Sequence, residues 1–428
     1  MMNKTILISI IATFVLLLAG MFGFFYFYTD TFVDRGGEQR EGAGGFFSNL
    51  FPFGDSGGAD IQRDDTRLDS NEEDLSGIPA PALRKVTSAH TSGAVIFVEE
   101  GEETIRYVER GTGHIYEAST NSLRNERILN TTIPRVREVL WLPDGSGLYF
   151  RYLEEGETIT TFFARIEETE EGENELVGSF LPQDIVELSL APDGEEIFYM
   201  TRNESGARGV IADVDGRNGR EIFESPLREW HAFWSSPTSI FLVSRPSYLG
   251  TGIYASLNSG NGSFSSLGGG GSGFSILPNT EATSEERLFL ASQNRGERVS
   301  LSVLGEDGER ALPLRTLAEK CVWSEIEKSV AYCGVPTSFP EGNYPDDWYQ
   351  GEISFIDSIW KVNTEAQSAE LISLVSNEAG ESLDAINLTL SPSEKYLLFK
   401  NKQNGSLWSL RLVEEDTPQI ENLEEEDE

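Results

Sequence analysis

The chain has 428 residues, enough for two or three ordinary domains or one large all-β domain. It carries 71 Asp and Glu against 33 Lys and Arg, a formal net charge of −38, which argues against an extended basic surface and hence against nucleic acid as a partner. With 3 His and 2 Cys, zinc fingers and cysteine-rich scaffolds are excluded, and we expect no metal and no cofactor. The 42 Gly and 11% aromatic residues favour a β protein with many turns.

Residues 5–28 form the first recognisable element. They contain no charged residue, and at about 1.5 Å per residue a helix of this length crosses a bilayer core of roughly 30 Å. The stretch ends in the aromatic run 24–28, whose rings favour the headgroup boundary. A cleaved signal peptide is the alternative, but it would have a shorter apolar core that ends in small residues. We therefore expect a transmembrane signal anchor at 5–28, after a cytoplasmic tail of residues 1–4.

The orientation of this anchor rests on few charges. Lys4 precedes it, whereas Arg35 and Arg40 follow it among several acidic residues, so the two sides nearly balance. The first charges met are Lys4 before the span and Asp30 after it, which favours a cytoplasmic N-terminus. We expect a single-pass protein of the cell (inner) membrane, with everything after the anchor outside the cytoplasm.

Two further segments have the composition of unfolded chain. Residues 29–82 are rich in Gly, Asp, Glu, Arg and Ser, which cannot bury enough apolar area to offset chain entropy. They are predicted to be a flexible, disordered linker. Residues 414–428 contain nine acidic residues and no basic one, and are predicted to be a solvated acidic tail.

Residues 83–413 show short alternating apolar runs separated by polar turns, the pattern of an all-β domain. One unit recurs: an apolar strand, a turn such as Pro143-Asp144-Gly145, and a second apolar strand. Pro143 and Pro192 are 49 residues apart, and Pro237 follows after another 45. Such spacing is typical of four-stranded propeller blades, each of which must stack on its neighbours. We expect a β-propeller of seven blades, or of six if the first unit only completes the last blade.

These Trp/Leu-Ser/Ala-Pro-Asp-Gly hairpins resemble the WD40-like, TolB-type β-propeller repeat of bacterial envelope proteins. The resemblance covers about residues 86–413 and departs from the motif at Ser393-Glu394, where Asp-Gly would stand. It implies a scaffold rather than an activity, and it carries over no catalytic residue.

Cys321 and Cys333 flank one of the hairpins. If the turn is centred on Glu327, the two cysteines lie opposite each other on adjacent antiparallel strands, at a separation that a disulfide can close. Two buried free thiols are the alternative, since cysteine is a common core residue. We favour the disulfide, which requires an oxidising, extracytoplasmic compartment.

Motifs for catalysis are missing from the sequence. No Gly-x-Ser-x-Gly pentapeptide occurs, and His90, His114 and His231 lie in no metal-binding motif. The glycine run 268–273 lacks the lysine and helix of a phosphate loop and is predicted to be a loop between blades. We therefore expect no enzymatic activity.

The segment from Pro336 to about Asp357 departs from the blade pattern as an insertion after the second strand of the cysteine hairpin. Its rigid aromatic rings and acceptors are typical of surfaces that bind proteins or sugars. The alternative is that the rings fold back and seal the channel or pack on a neighbouring blade, and the exposure of Trp348 distinguishes the two. The candidate ligand-binding residues are Phe339, Tyr344, Asp346, Asp347, Trp348 and Tyr349.

The sequence thus predicts a membrane-anchored, extracytoplasmic β-propeller that acts as a scaffold for an envelope protein, or for a glycan, without catalysis. A carboxylate-dependent hydrolase acting on carbohydrate or ester substrates at the propeller axis is the alternative. A component that only spaces other envelope proteins is a third possibility.

Overall fold

The computed structural model describes residues 75–154, 158–279, 288–295 and 298–413. Seven four-stranded antiparallel sheets follow one another along this part of the chain and form a seven-bladed β-propeller. The predicted anchor 5–28, most of the linker 29–82 and the tail 414–428 lie outside the described residues. Within the described ranges, no helix is long and apolar enough to cross a bilayer.

Blades 1 to 4 are each built from four consecutive strands, the first of which is innermost. Blade 1 comprises β2 (Thr91–Glu99), β3 (Glu102–Glu109), β4 (Ile115–Ser119) and β5 (Asn125–Leu129). Blade 2 comprises β6 (Val136–Trp141), β7 (Gly147–Leu153), β8 (Ile159–Glu168) and β9 (Asn174–Phe180). Blade 3 comprises β10 (Ile185–Leu190), β11 (Glu196–Asn203), β12 (Gly206–Asp213) and β13 (Arg220–Ser225). Blade 4 comprises β14 (Trp230–Ser236), β15 (Ser239–Ser244), β16 (Thr251–Asn258) and β17 (Phe264–Ser272). The prediction of a loop at the glycine run 268–273 was wrong for most of the run, which lies in β17.

Blades 5 to 7 complete the ring and carry the short helical elements. Blade 5 comprises β18 (Ser275–Pro278), β19 (Phe289–Arg295), β20 (Arg298–Gly305) and β21 (Gly308–Ala311). Blade 6 comprises β22 (Cys321–Trp323), β23 (Val330–Pro336), β24 (Asp357–Asn363) and β25 (Ser368–Ser373). Blade 7 comprises β26 (Ala385–Leu390), β27 (Tyr396–Asn401), β28 (Leu407–Arg411) and β1 (Leu83–Thr87). Outside the sheets lie helices α1 (Asp346–Gln350) and α2 (Val375–Ala379), and the 3₁₀ turns Leu75–Gly77 and Ala318–Lys320.

The ring is closed by strand exchange between the two ends of the domain. Strand β1 is the outermost strand of blade 7, and Leu83 pairs with Leu410. Strand β1 therefore completes the last blade, and the ring has seven blades rather than six. The chain already contacts blade 1 before β1, because the amide of Ala80 donates to the carbonyl of Asn121 at 2.8 Å. The last residues of the predicted linker, 75–82, thus include contacts with the propeller.

The turns between first and second strands explain the Pro-Asp-Gly motif. Gly145 and Gly194 have φ of 70° and 72°, the left-handed region that glycine enters without strain. Glu394, with φ of 55°, occupies the corresponding turn of blade 7. Its carboxylate accepts hydrogen bonds from the hydroxyl of Ser324 and from the amides of residues 325 and 326 in blade 6. The departure from the motif therefore provides an interblade contact that glycine cannot make.

The core is a series of apolar clusters, each shared by two neighbouring blades. Phe198 and Met200 of blade 3 pack with Trp234 and Leu242 of blade 4, and Phe399 belongs to the cluster between blades 6 and 7. Equivalent clusters join blades 2 and 3, 4 and 5, 5 and 6, and 7 and 1. Each large apolar side chain buried in this way contributes about 1.5–3 kcal/mol. The ring is thus stabilised by the contact of each sheet with the next.

The predicted disulfide is confirmed. Cys321 and Cys333 are direct cross-strand partners in β22 and β23 and are covalently bonded, with Cα atoms 4.0 Å apart. Strand β22 has three residues, fewer than the first strand of every other blade in the described ranges. The disulfide therefore supports the shortest inner strand of the ring.

We predict that Cys321→Ala combined with Cys333→Ala destabilises the protein by about 2–3 kcal/mol, because the disulfide closes a loop of 12 residues and so restricts the unfolded chain. Urea unfolding followed by tryptophan fluorescence measures the change. The wild-type protein in reductant should move to the midpoint of the double variant, and the double variant should not respond to reductant. Equal midpoints for oxidised wild type and the double variant would contradict the prediction.

Candidate functional site

The insertion after β23 forms a compact cap over one face of the ring. We call residues 337–356 the cap, and the face that carries it the cap face. Loops between second and third strands share this face with the loops between blades, because antiparallel strands alternate in direction. Tyr344, Trp348 and Phe355 are 5%, 3% and 1% exposed and form an apolar cluster with Leu317 of the ring. The cap therefore has its own small core.

A buried ammonium group anchors the cap. Lys320 is completely buried, its Nζ lies 2.8 Å from Oδ2 of Asp357, and it also pairs with Oδ1 of Asp384. Oδ2 of Asp384 accepts hydrogen bonds from the indole Nε1 of Trp348 and the amide of Phe355, both at 2.9 Å. The rings of Trp348 and Phe355 lie 5.1 Å from Nζ, within cation–π range. The ion pair between Lys320 and Asp384 thus holds Trp348 and Phe355, two residues of the cap core, in place.

The two aspartates around Lys320 carry more negative charge than one ammonium can neutralise. Burial raises the pKa of Asp357 to about 6, and the neighbouring charge of Asp384 acts in the same direction, against the attraction of Lys320. Oδ2 of Asp357 accepts the amide of Ala385 at 2.6 Å, whereas Oδ1 has no hydrogen-bond partner among the described residues. A proton on Asp357 would remove the excess charge.

The cap also reaches over blade 5 to blade 4. Oδ2 and Oδ1 of Asp346 accept hydrogen bonds from the hydroxyl of Ser247 and the amide of Tyr248, each at 3.1 Å. On the way, the side-chain amide of Asn294 in blade 5 donates to the carbonyl of Tyr344 at 2.6 Å. The loop 245–250 of blade 4 is therefore held by a residue almost 100 positions later in the sequence.

The predicted ligand-binding residues lie together in the cap, but most of their side chains are engaged within it. Phe339 is half-buried against Tyr344, and Trp348 is buried, which is the outcome expected if the rings pack rather than stand open. Asp347 accepts the amide of Asn343 at 2.7 Å, Asp346 holds the blade 4 loop, and Tyr349 binds Glu319. Whether any of the six contacts a ligand stays a prediction.

A second group of polar residues lies where the innermost strands surround the channel of the propeller. Glu187 lies on β10 and His231 on β14, with 3.7 Å between Oε2 and Nδ1. Glu319 lies in the 3₁₀ turn before β22, and its Oε1 accepts the hydroxyl of Tyr349 at 2.6 Å. We call Glu187, His231, Glu319 and Tyr349 the channel-mouth cluster. It combines side chains from blades 3, 4 and 6 with one from the cap.

The cluster residues change one another's pKa. Burial alone would lower the pKa of His231, but the hydrogen bond and charge of Glu187, with the charge of Glu319, leave it raised. Burial raises the pKa of Glu319, and burial together with the charge of Glu319 raises the pKa of Tyr349 well above its usual range. Titratable groups perturbed in this way are common at functional sites but also occur in structural networks.

Sequence reasoning did not identify the channel-mouth cluster. Glu187 could have been noticed, because it lies 49 residues after Glu138, the same spacing as Pro143 and Pro192. The repeat therefore places both glutamates at equivalent positions of two inner strands, where side chains can reach the channel. Nothing in the local sequence marks Glu319 or its contact with Tyr349, because the two belong to different elements. In the described part of the chain, no group of three or more His, Cys, Asp or Glu side chains is arranged to hold a metal ion.

We predict that Asp357→Asn removes a pH dependence of stability. The pKa of Asp357 in the folded protein is about 6, whereas an unfolded aspartate titrates near 3.9. The folded state therefore binds more protons between these values, and stabilisation is lost as the pH rises from about 4 to about 6. Over that range the free energy of unfolding of the wild type should fall relative to D357N by up to about 3 kcal/mol, measured by urea unfolding.

Asp307→Asn is the matched control for this experiment, because Asp307 is exposed in the turn between β20 and β21. Its unfolding free energy should run parallel to that of the wild type at every pH. A difference between wild type and D357N that stays constant from pH 4 to pH 7 would contradict the protonation of Asp357.

The sequence matches no protein-family profile and no curated protein sequence. Solved structures with a similar fold include an oligogalacturonate lyase in complex with manganese, with a TM-score of 0.52 and 11% identity over 79% of this chain and 95% of that chain. A second is oligogalacturonate lyase from Vibrio parahaemolyticus, with a TM-score of 0.53 and 8% identity over 79% and 96%. TolB from Acinetobacter baumannii follows with a TM-score of 0.40 and 14% identity over 62% of each chain. At these identities the similarity shows the fold alone, and the β-propeller predicted from the hairpin motif is confirmed by the seven four-stranded sheets.

Proposed function

We propose that the protein is a non-catalytic binding scaffold whose cap face recognises a partner protein. In this proposal, residues 5–28 anchor the chain in the membrane and the propeller lies outside the cytoplasm, where its partner is another envelope protein. The disulfide between Cys321 and Cys333 supports the compartment, because such bonds persist in oxidising surroundings. The observation that carries the binding role is the loop 245–250 of blade 4.

This loop presents an exposed apolar residue in a fixed position. Leu249 is 90% exposed and Tyr248 beside it is 37% exposed. The carbonyl of Ser247 accepts the amides of Gly250 at 3.2 Å and Gly273 at 2.8 Å, and Asp346 of the cap holds the amide of Tyr248. An exposed apolar residue whose backbone is already held by hydrogen bonds loses less entropy when a partner covers it than a residue on an unordered loop. The loop therefore has the properties of a preformed contact for a protein.

A second apolar side chain lies on the neighbouring loop of the same face. Leu227, in the connection between β13 and β14, is 40% exposed. Its loop is joined to the first one by Arg245, whose amide donates to the carbonyl of Glu229 at 3.2 Å and whose guanidinium lies 3.7 Å from the Glu229 carboxylate. Two ordered loops with apolar tips favour a protein partner over a glycan, because Tyr344 and Trp348, two cap rings that could stack on sugars, are buried.

We predict that Leu249→Ser weakens partner binding by at least about 30-fold, as expected for a central apolar contact. The readout is photo-crosslinking in intact cells with benzoylphenylalanine at position 248, which should give a discrete adduct that L249S abolishes. Asp346→Ala should reduce the adduct because it frees the loop. The matched control is Ile326→Ser on the opposite face, where Ile326 is 64% exposed. An adduct unaffected by L249S, or lost equally in I326S, would contradict the proposal.

A carboxylate-dependent hydrolase at the propeller axis is the second candidate function, and the channel-mouth cluster is the observation that favours it. Glu319 with a raised pKa and Glu187 beside His231 place an acid and a base near one another. If the protein is such an enzyme, the full-length chain should turn over at least one substrate of a carbohydrate and ester panel that includes oligogalacturonate.

Glu319→Gln should then lower the turnover rate by about 100-fold or more, while Glu394→Gln on the opposite face should leave it unchanged. Absence of turnover across the panel supports the scaffold instead.

A further inference from the structure

The junction of blades 7 and 1 carries a group of basic side chains on the cap face, in a chain where acidic residues outnumber basic ones by more than two to one. His90 lies in the loop before β2, Arg110 directly after β3, and Lys400 near the end of β27. By ring order this junction is opposite blade 4 and its Leu249 loop. It belongs neither to the cap nor to the channel-mouth cluster.

The first two members are held together by direct contacts. Nη1 of Arg110 lies 3.1 Å from Nε2 of His90, and the amide of Arg110 donates to the carbonyl of His90 at 2.7 Å. The imidazole lies against Gly405 of blade 7, where a Cβ atom would come within 2.4 Å of Cγ. The hydroxyl of Thr91 donates to the carbonyl of the same glycine at 3.1 Å. The position of the imidazole is thus fixed by both blades.

Lys400 is close enough for its charge to act on both groups. Burial, then the charge of Arg110, then that of Lys400 lower the pKa of His90. Burial and the charge of Arg110 likewise lower the pKa of Lys400, and the charge of Glu138 acts in the opposite direction. Because a guanidinium can only donate, its contact with Nε2 means that the imidazole is neutral and accepts. Lys400 pairs with Leu407 across β27 and β28, close to the Gly405 against which His90 lies, so the three basic groups lie at the same blade junction.

These charges are not neutralised by the carboxylates around them. Glu138 is itself paired with Arg151, and the carboxylate of Glu109 is directed to the hydroxyl of Thr112, from which it accepts at 2.6 Å. Among the described residues, no carboxylate lies within ion-pair distance of Arg110 or Lys400. Like charges held together without a counter-charge cost free energy. An anion between them would reverse that cost.

We propose that His90, Arg110 and Lys400 form a binding site for an oxyanion, the phosphate or carboxylate group of a ligand that enters at the junction of blades 7 and 1. A guanidinium presents paired donors that fit two oxygens of such a group, and an ammonium adds a third donor. When His90 takes up a proton, its Nε2 donates instead of accepting from Arg110, so the guanidinium is released to the anion and the imidazolium becomes a further donor. A bound anion favours this state. The site is independent of the Leu249 loop, so it stands whether or not the scaffold proposal holds.

The test uses the full-length protein in neutral detergent, labelled at histidine and titrated with inorganic phosphate or with glucuronate at constant ionic strength. With three histidines in the chain, His114 and His231 serve as internal controls in the same NMR spectra. Phosphate or glucuronate should raise the pKa of His90 by about 1 unit and leave the other two unchanged. A response to phosphate alone identifies a phosphorylated ligand, and a response to glucuronate alone a carboxylated one.

Two variants test the contribution of the partners. Arg110→Gln and Lys400→Gln should each weaken binding of the effective anion about tenfold or more, and Arg110 is exposed, so its loss should not disturb folding. Lys395→Gln is the matched control, because Lys395 is exposed just before the same strand β27 on the opposite face. The proposal is overturned if His90 does not respond, if all three histidines respond alike, or if R110Q and K400Q bind as the wild type does.

Discussion

The buried ammonium group of Lys320 holds together the part of the ring on which the cap is built. Burying a charge costs several kcal/mol unless it is paired, and here two aspartates provide the pairing. Lys320 precedes β22, Asp357 begins β24, and Asp384 precedes β26, so one cation fixes two strands of blade 6 and the entry to blade 7. Asp384 in turn accepts from Trp348 and Phe355, and the cap is therefore placed by electrostatics as much as by apolar packing.

The short helix α1, which Asp384 holds through Trp348, contacts both the loop that presents Leu249 and the channel-mouth cluster. Asp346, at its start, holds the loop that presents Leu249, and Tyr349, near its end, donates to Glu319 at the channel. The opposite side of the ring has a different character, since His90 and its basic neighbours lie there without an ion-pair partner among the described residues. The cap face thus has an apolar and acidic side and a basic side, and the two proposed ligands would bind to different sides.

The propeller class could be predicted from the sequence, because turn chemistry and apolar alternation are local properties that repeat with the blade. The Pro-Asp-Gly turn around Gly145 and the spacing of the repeat predicted four-stranded blades but left their number at seven or six. Strand geometry favoured the disulfide over two free thiols without deciding between them. The direction of the cap side chains could not be predicted in the same way. Whether Trp348 faces solvent depends on Lys320 and Asp384, which are 28 and 36 residues away in the chain and meet it only in the closed ring. The composition of the cap predicted an exposed aromatic surface for binding, whereas tertiary contacts bury most of its rings.

Strand exchange has a consequence for how the protein is made. Strand β1 pairs with β28, which is synthesised about 320 residues later. At ribosomal rates of about 5–20 residues per second, the nascent chain carries β1 without its partner for roughly 15 to 65 seconds. During that interval blade 1 also lacks the apolar surface of Tyr396 and Leu398 against which it finally packs. Chaperones and quality-control proteases therefore encounter an open arc of sheets, and commitment to the native state comes with the last strand.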